Sequence, residues 1–226
     1  MKTDTMLEKL IADRILAQKT ASPFIVGFDG VDTSGKTSLA DRIHSELLAR
    51  EVNSARISID RFHNPSEVRL RRGRLSPEGF FYDSFNYEAL IKNVFTPLRQ
   101  QKGKIIKGIF DYKQNKPLEE QTIEVDASLI VLFDGIFLNR DELRQFWDMT
   151  IFLDVSFETV IQRALKRDLE YLGSEENVLN CYNSRYIPGE KIYLDTCKPK
   201  EKADIVIDNN DWQNPILLKD IDNSGK

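Results

Sequence analysis

The stretch Gly30-Val31-Asp32-Thr33-Ser34-Gly35-Lys36-Thr37 has the spacing G-x-x-x-x-G-K-S/T. In such a loop, successive backbone N–H groups and the positive end of the following helix make a concave anion site. Lys36 has the reach for β- and γ-phosphates, and Thr37 offers a hydroxyl to Mg²⁺. Gly30, Asp32, Thr33, Ser34, Gly35, Lys36, Thr37 and Ser38 are therefore candidate nucleotide contacts. Two aspartates close apolar strand patterns and belong to the same chemistry. Asp134 follows Leu129-Ile130-Val131-Leu132-Phe133, the place of a carboxylate that holds Mg²⁺ directly or through water. Asp60 ends Ala55-Arg56-Ile57-Ser58-Ile59, where a carboxylate can orient an alcohol and accept its proton. Asp134 could instead be a turn aspartate before Gly135, and Asp60 a strand-terminal surface aspartate.

Basic residues supply the opposite charge. Arg163, Lys166 and Arg167 share a helix face at i, i+3, i+4 spacing, either as a solvated face or as a lid over a triphosphate. Arg69, Arg71, Arg72 and Arg74 form a second cluster, in a loop, that could grip an anionic substrate or be merely solvated. His63, three residues past Asp60, could hydrogen-bond a substrate, whereas His44 reads as a surface residue, and neither has metal-ligand spacing.

The elements that must position these groups alternate between strand and helix. Apolar positions predict a helix over 5–18, with Leu7, Leu10, Ile11 and Ile15 on one face. The loop 30–37 lies between the strand Phe24-Ile25-Val26-Gly27-Phe28 and a helix with Leu39, Ile43 and Leu47 at helical spacing. A helix over 87–95 should end near Pro97. Short strands over 104–112 and 121–125 flank a turn at Asn115-Lys116-Pro117, a hairpin outside the main sheet. Continuous apolar runs at 129–133 and 150–153 predict strands buried on both faces. Helices over 156–172 and 185–198 lead to a last strand at 204–208. This alternation predicts an α/β three-layer fold with a mostly parallel sheet, binding ligands at the carboxyl ends of its strands. The expectation is one domain over 1–226, with an N-terminal helix in 1–20, a lid in 156–183 and a loose polar tail in 210–226.

With 226 residues the chain can bury a sizeable core, and a formal charge of −4 argues against nucleic acid or anionic lipid as partner. Cys181 and Cys197 make no C-x-x-C pair and have no histidine nearby, so zinc is not expected and reduced thiols fit a cytoplasmic protein. No apolar run has the length of a membrane span.

Taken in order, the motifs resemble the superfamily of uridine kinase, phosphoribulokinase and pantothenate kinase, P-loop small-molecule kinases. The resemblance rests on the stretch from Gly27 through Thr37, on Ser58-Ile59-Asp60-Arg61-Phe62-His63 and on Phe133-Asp134-Gly135-Ile136-Phe137. It continues through Phe152-Leu153-Asp154-Val155, Arg163 to Asp168, Ser184-Arg185-Tyr186 and Ala203-Asp204-Ile205-Val206-Ile207-Asp208. It implies a P-loop NTPase fold with a substrate-side hairpin and a helical lid, acting with ATP or GTP and Mg²⁺ on a nucleoside hydroxyl, uridine or cytidine first. It makes Asp60 the catalytic base, with Lys36, Arg163 and Arg167 catalytic and Thr37 and Asp134 at the metal. His63, Asp83, Tyr112 and Arg185 become substrate contacts, Asp83 for the sugar hydroxyls. The implied partner is a small molecule, with neither nucleic acid nor membrane, and assembly into a homo-oligomer is left open. Two stretches depart from uridine–cytidine kinases: Leu172-Gly173-Ser174-Glu175-Glu176 replaces an R-G-R, and the hairpin segment Asp111-Tyr112-Lys113-Gln114-Asn115 lacks their histidine. Kinases for sugar phosphates, pantothenate or nicotinamide riboside are the alternatives within the resemblance. A GTPase-like switch is disfavoured, since Asn115-Lys116-Pro117-Leu118 has no aspartate to read guanine.

Overall fold

The computed structural model describes residues 4–221. Strand β1 (Phe24–Gly30) is buried along its whole length, and β2 (Ser54–Ser58) alternates between buried and half-buried. A two-part antiparallel ribbon follows, in which β3 (Lys104–Ile106) pairs with β6 (Thr122–Glu124) and β4 (Phe110–Asp111) with β5 (Lys116–Pro117). The remaining strands are β7 (Ile130–Asp134), β8 (Met149–Asp154), β9 (Ile205–Asp208) and β10 (Ile216–Lys219). The six-stranded sheet has the order β10-β9-β8-β1-β7-β2, parallel throughout except for the antiparallel edge strand β10. The ribbon lies outside it, as expected.

Helices cover both faces because β1 and β7 are apolar on both. On one face Phe24, Val26, Phe28, Ile130 and Leu132 meet Ile11 and Ile15 of the N-terminal helix and Leu39, Ile43 and Leu47 of helix Lys36–Ala49. On the other, Ile25, Val131 and Phe133 lie under Leu90, Val94, Phe95 and Leu98. Gly27 keeps that face flat, since a Cβ there would stand 3.1 Å from the Trp147 ring. A third cluster, with Val160, Ala164, Val178 and Tyr182, packs the lid helices on Val31 of the phosphate loop.

Several boundaries differ from expectation for local physical reasons. The helix predicted to stop near Pro97 continues to Gln100, through a π turn over Ile91–Phe95. Proline lacks an N–H and its ring presses on the carbonyl four residues back, and a wider turn before it relieves both. The same device precedes Pro188: a π turn over Tyr182–Tyr186 joins Glu175–Cys181 to Ile187–Cys197, so the helix expected over 185–198 begins ten residues earlier, at Glu175. The helix expected over 156–172 breaks at Asp168 into Phe157–Arg167 and Leu169–Leu172. Strand β2 ends at Ser58, whose hydroxyl caps a 3₁₀ turn, Ile59–Phe62, that carries Asp60 beyond the sheet.

The tail read as loose over 210–226 is ordered as far as it is described. β10 pairs with β9, Leu217 and Ile221 pack on the core, and Asp220 accepts from Arg14 at 2.5 Å; residues 222–226 lie outside the described residues. A four-residue strand between polar flanks is too short for alternation to stand out. Removing residues 216–226 should therefore cost about 2 kcal/mol, chiefly the Leu217 packing and the ladder bonds. The expected fall in melting temperature is about 4–8 °C. An unchanged melting curve would return the tail to the loose reading.

Candidate active site

The parallel pairing of β1 with β7 sets Phe28 opposite Asp134, so the loop leaving β1 emerges beside that carboxylate. The loop then turns through left-handed backbone at Thr33 (φ 53°) and Gly35 (φ 97°), and Gly35 caps helix Lys36–Ala49. A side chain at position 35 would be strained by this φ, and its Cβ would lie 2.6 Å from Asn209 Nδ2, which would have to move. Lys36 is buried and its Nζ donates to the Val31 carbonyl (2.6 Å) and Ser34 Oγ (3.2 Å). Thr37 Oγ1 donates to Asp134 Oδ2 at 2.5 Å. Arg56 Nη2 takes the other oxygen of Asp134 at 2.9 Å, while Arg56 Nη1 donates to the Leu132 carbonyl. Ser38 is exposed on the first turn of the helix.

Helix Phe157–Arg167 lies against this loop. Arg163 donates to the Thr33 carbonyl (3.1 Å) and the Asn209 carbonyl (2.6 Å), and its burial lowers its pKa, against the pull of Asp211. Arg167 forks onto Asp32 at 2.8 and 3.0 Å and also binds Asp168. The Tyr182 hydroxyl donates toward Asp32 Oδ2 (2.6 Å) and lies equally close to Asp168. Burial alone would raise the Asp32 pKa; the charge and hydrogen bonds of Arg167, with Lys36 and Tyr182, outweigh it and hold it at about 2. Lys166, third of the basic triplet, is exposed.

Asp60 stands apart from these pairs. Among the described residues its carboxylate has no hydrogen-bond partner. It is open to solvent, yet crowded by protein over a longer range, as a group on a cleft wall is. That crowding, with the negative charges of Asp134 and Asp32, pushes its pKa up to about 6 against the attraction of Lys36 and Arg167. His63 Nδ1 lies 2.9 Å from the Asp60 carbonyl. A carbonyl can only accept, so Nδ1 carries the proton and Nε2 is left as an acceptor. The imidazole packs between Phe85 and Tyr112, each ring centroid 4.4 Å away. Burial, reinforced by Arg69 and Arg185, drives its pKa down to about 3, so it is neutral.

Two expected substrate contacts are engaged elsewhere. Asp83 is buried and holds Arg71 and, at 2.8 Å, Arg72; these bonds keep its pKa low in spite of desolvation. It presents no free carboxylate to sugar hydroxyls. Asp83 and the basic loop, given separate roles by the sequence, form ion pairs in the fold. Arg185 is also buried, donating to the carbonyls of Arg69, Gly73, Arg74 and Ser76. It fastens the basic loop instead of standing free for a ligand. Groups that sequence reading passed over include Arg56, Tyr182, Glu190 and Asn209. Only Arg56, a charge amid a strand pattern, carried a visible signal.

A family model described as the Phosphoribulokinase / Uridine kinase family matches residues 25–213. The chain belongs to that family. It is 30% identical over 187 residues to uridine-cytidine kinase B of Dictyostelium discoideum, covering 82% of this chain and 74% of the relative. It is 29% identical over 191 residues to the uridine kinase of Bacillus velezensis, covering 82% of this chain and 86% of the relative. In fold it is similar to a structure described as a possible uridine kinase from Bacillus stearothermophilus, with TM-score 0.69, 24% identity and coverage of 88% and 96% of the two chains. Membership of the family makes the protein a P-loop kinase, a phosphotransferase with an alcohol acceptor.

The two lid arginines differ in setting, and this kinase should show it. Arg163→Ala frees the carbonyls of Thr33, Asn209 and Asn210, so both thermal stability and turnover should fall, stability by about 1–3 kcal/mol. Arg167 is half-exposed in a salt-bridged cluster, so Arg167→Ala should change stability by less than about 1 kcal/mol while lowering kcat more than nucleotide affinity. Paired melting and steady-state measurements would separate the two, and equal effects on both quantities would refute the distinction.

Proposed function

We propose that the protein transfers the terminal phosphoryl group of ATP to the 5′-hydroxyl of a nucleoside, uridine or cytidine first, with GTP as a substitute donor to be tested. The observation that carries this reading is Asp60, a carboxylate without a partner, on the strand-end side of the sheet and under the influence of Asp134, Lys36 and Arg167. In transfer from a phosphoric anhydride the protein mainly positions reactants and neutralises charge. Asp60 orients the acceptor hydroxyl and receives its proton. Loop amides and Lys36 hold the phosphates, and Arg167 moves its charge from Asp32 to the transferring group as that group arrives. His63, neutral and fixed in one tautomer, offers Nε2 to the acceptor.

Thr37 and Asp134 are a hard-oxygen pair 2.5 Å apart beside the phosphate loop. They fit Mg²⁺, which typically takes one or two protein oxygens and completes its shell with phosphate and water. Bound there, the ion would offset phosphate charge. The relatives described as uridine-cytidine kinase and uridine kinase suggest the nucleoside. The two unpaired thiols are compatible with a cytoplasmic setting.

The pairing of Asp83 with Arg71 and Arg72 favours one second reading, an acceptor that already carries an anionic group and takes over those arginines. A panel of uridine, cytidine, pantothenate, nicotinamide riboside and sugar phosphates with labelled ATP decides between them. Turnover of a sugar phosphate without turnover of either pyrimidine nucleoside would overturn the first reading.

Whichever acceptor it is, Asp60→Asn should lower kcat by about 10²–10⁴ with nucleotide affinity retained. A base must be ionised to work, so wild-type kcat/KM should rise with pH through about 6 and then level. The variant should lack that limb. A kcat that survives the substitution, with affinity lost instead, would make Asp60 a metal or scaffold residue.

A further inference from the structure

The helical run 175–197 touches both halves of the site. Tyr182 reaches Asp32 in the phosphate loop, and Arg185 gathers four carbonyls of the basic loop. At Gly189 the run lies so close to the acceptor side that a Cβ would stand 2.8 Å from Phe80 and 2.9 Å from the Pro77 carbonyl. The next residue, Glu190, is fully buried, and its Oε1 accepts the Asp32 N–H at 2.5 Å. Its Oε2 is buried and has no partner among the described residues.

An acid in that place needs an explanation, because burying one oxygen unpaired is costly and an apolar side chain would avoid the cost. The Asp32 amide is the reason for an acceptor at this position. The loop changes to left-handed backbone one residue later, at Thr33, so whatever fixes the plane of the Asp32 peptide also fixes where the following amides point. The first two are engaged within the loop, Thr33 N–H by Asp32 Oδ1 (2.9 Å) and Ser34 N–H by the Val31 carbonyl (3.2 Å), so the amides offered to phosphate are those that follow, at the start of helix Lys36–Ala49.

We propose that Glu190 is a positioning residue for phosphoryl transfer: through the Asp32 amide it ties the crest of the phosphate loop to the helix that clamps the acceptor-side loop. Donor and acceptor halves are thereby held in one relative geometry. The proposal rests on the phosphate-loop reading of residues 30–37 and is independent of the acceptor's identity.

The charged groups facing Glu190 are Asp32 and Lys36 from the loop and Arg167 from the lid. Arg167 is committed to Asp32 and Asp168, and Lys36 to Val31 and Ser34. Burial, with the Asp32 carboxylate, pushes the Glu190 pKa up to about 8 against the Asp32 amide and both cations. At neutral pH the side chain is then a neutral acid, with its proton on Oε2. A folded-state pKa above the unfolded value means that stability present at low pH is lost as pH rises, here between about 4.5 and 8.

Two substitutions test this in the full chain. Glu190→Gln keeps an oxygen for the Asp32 amide and cannot ionise, whereas Glu190→Met keeps the volume and removes the acceptor. We expect Glu190→Met to lower kcat by about ten- to a hundredfold with a smaller change in the KM for ATP, as misplacement of reacting groups does. Glu190→Gln should stay within about threefold of wild type. Its melting temperature should gain on wild type as pH rises from about 5 to 8. Normal kcat in Glu190→Met, or equal impairment in both variants, overturns the proposal. Should Glu190→Met fail to fold, Glu190→Gln decides: retained kcat with the widening thermal gap supports it, and lost kcat or a constant gap overturns it. Lys36→Ala, assayed in parallel, guards the premise, because normal transfer there would overturn the phosphate-loop reading itself.

Discussion

The structure depends on β1 being paired on both sides and buried on both faces. Between β7 and β8 it has no freedom of register: Phe28 must lie opposite Asp134, and Gly30 opposite Leu153. A Cβ at Gly30 would stand 2.6 Å from the Leu153 carbonyl, so the chain leaves the sheet through a gap that only glycine fits. Parallel strands leave their ligand-facing ends on one side. The phosphate loop, Asp134 and the turn bearing Asp60 are consequently neighbours, although they are far apart in sequence.

From that exit onward the loop is fastened by groups that come from all over the chain. Lys36 takes the Val31 carbonyl, Arg163 the Thr33 carbonyl and Asn209 the Ser34 carbonyl at 2.7 Å, while Glu190 takes the Asp32 amide. Carbonyls tied back by side-chain donors leave a concavity dominated by N–H groups, the condition for anion binding. The loop also carries its own anion, Asp32, held by Arg167 and Tyr182. That carboxylate resembles a phosphate in charge and in the donors it gathers. On the proposed reading, a nucleotide entering the loop would compete with Asp32 for Arg167.

What could be read from the sequence follows from the range of the interactions involved. The loop 30–37, the apolar strands and the helix with Leu39, Ile43 and Leu47 are local patterns, and all appear where expected. Asp134 closes β7 as the apolar pattern implied, whereas Asp60 lies two residues past the end of β2, on the 3₁₀ turn. The π turns before Pro97 and Pro188 were not legible, since a proline reads as a helix stop unless the surrounding packing supports a wider turn. Glu190 and Tyr182 carried no signal because each acts across more than 140 residues of chain, through hydrogen bonds to Asp32 at a sequence separation of 158 and 150. The same holds for Asp83, whose pairing with Arg71 and Arg72 depends on how the basic loop folds back on helix Pro77–Asp83.

The basic loop is where family resemblance constrains the chemistry least. Its arginines fall into two kinds. Arg71 and Arg72 are half-exposed and share one carboxylate. Arg69 is bound to backbone, at the Asn64 and Tyr112 carbonyls, and lies over the Tyr112 ring at 5.8 Å. A neutral acceptor that used Asp83 would have to displace two cations and leave them to solvent, losing charge-assisted bonds to a buried carboxylate. An anionic acceptor would meet cations already gathered and would have to compete only with Asp83. Arg185 adds a constraint, since by holding the carbonyls of residues 69, 73, 74 and 76 it limits how far the loop can rearrange for either ligand. Acceptor choice therefore turns on whether Arg71 and Arg72 can swing away while their backbone stays clamped. Side chains with exposed ends can do so at little cost in packing.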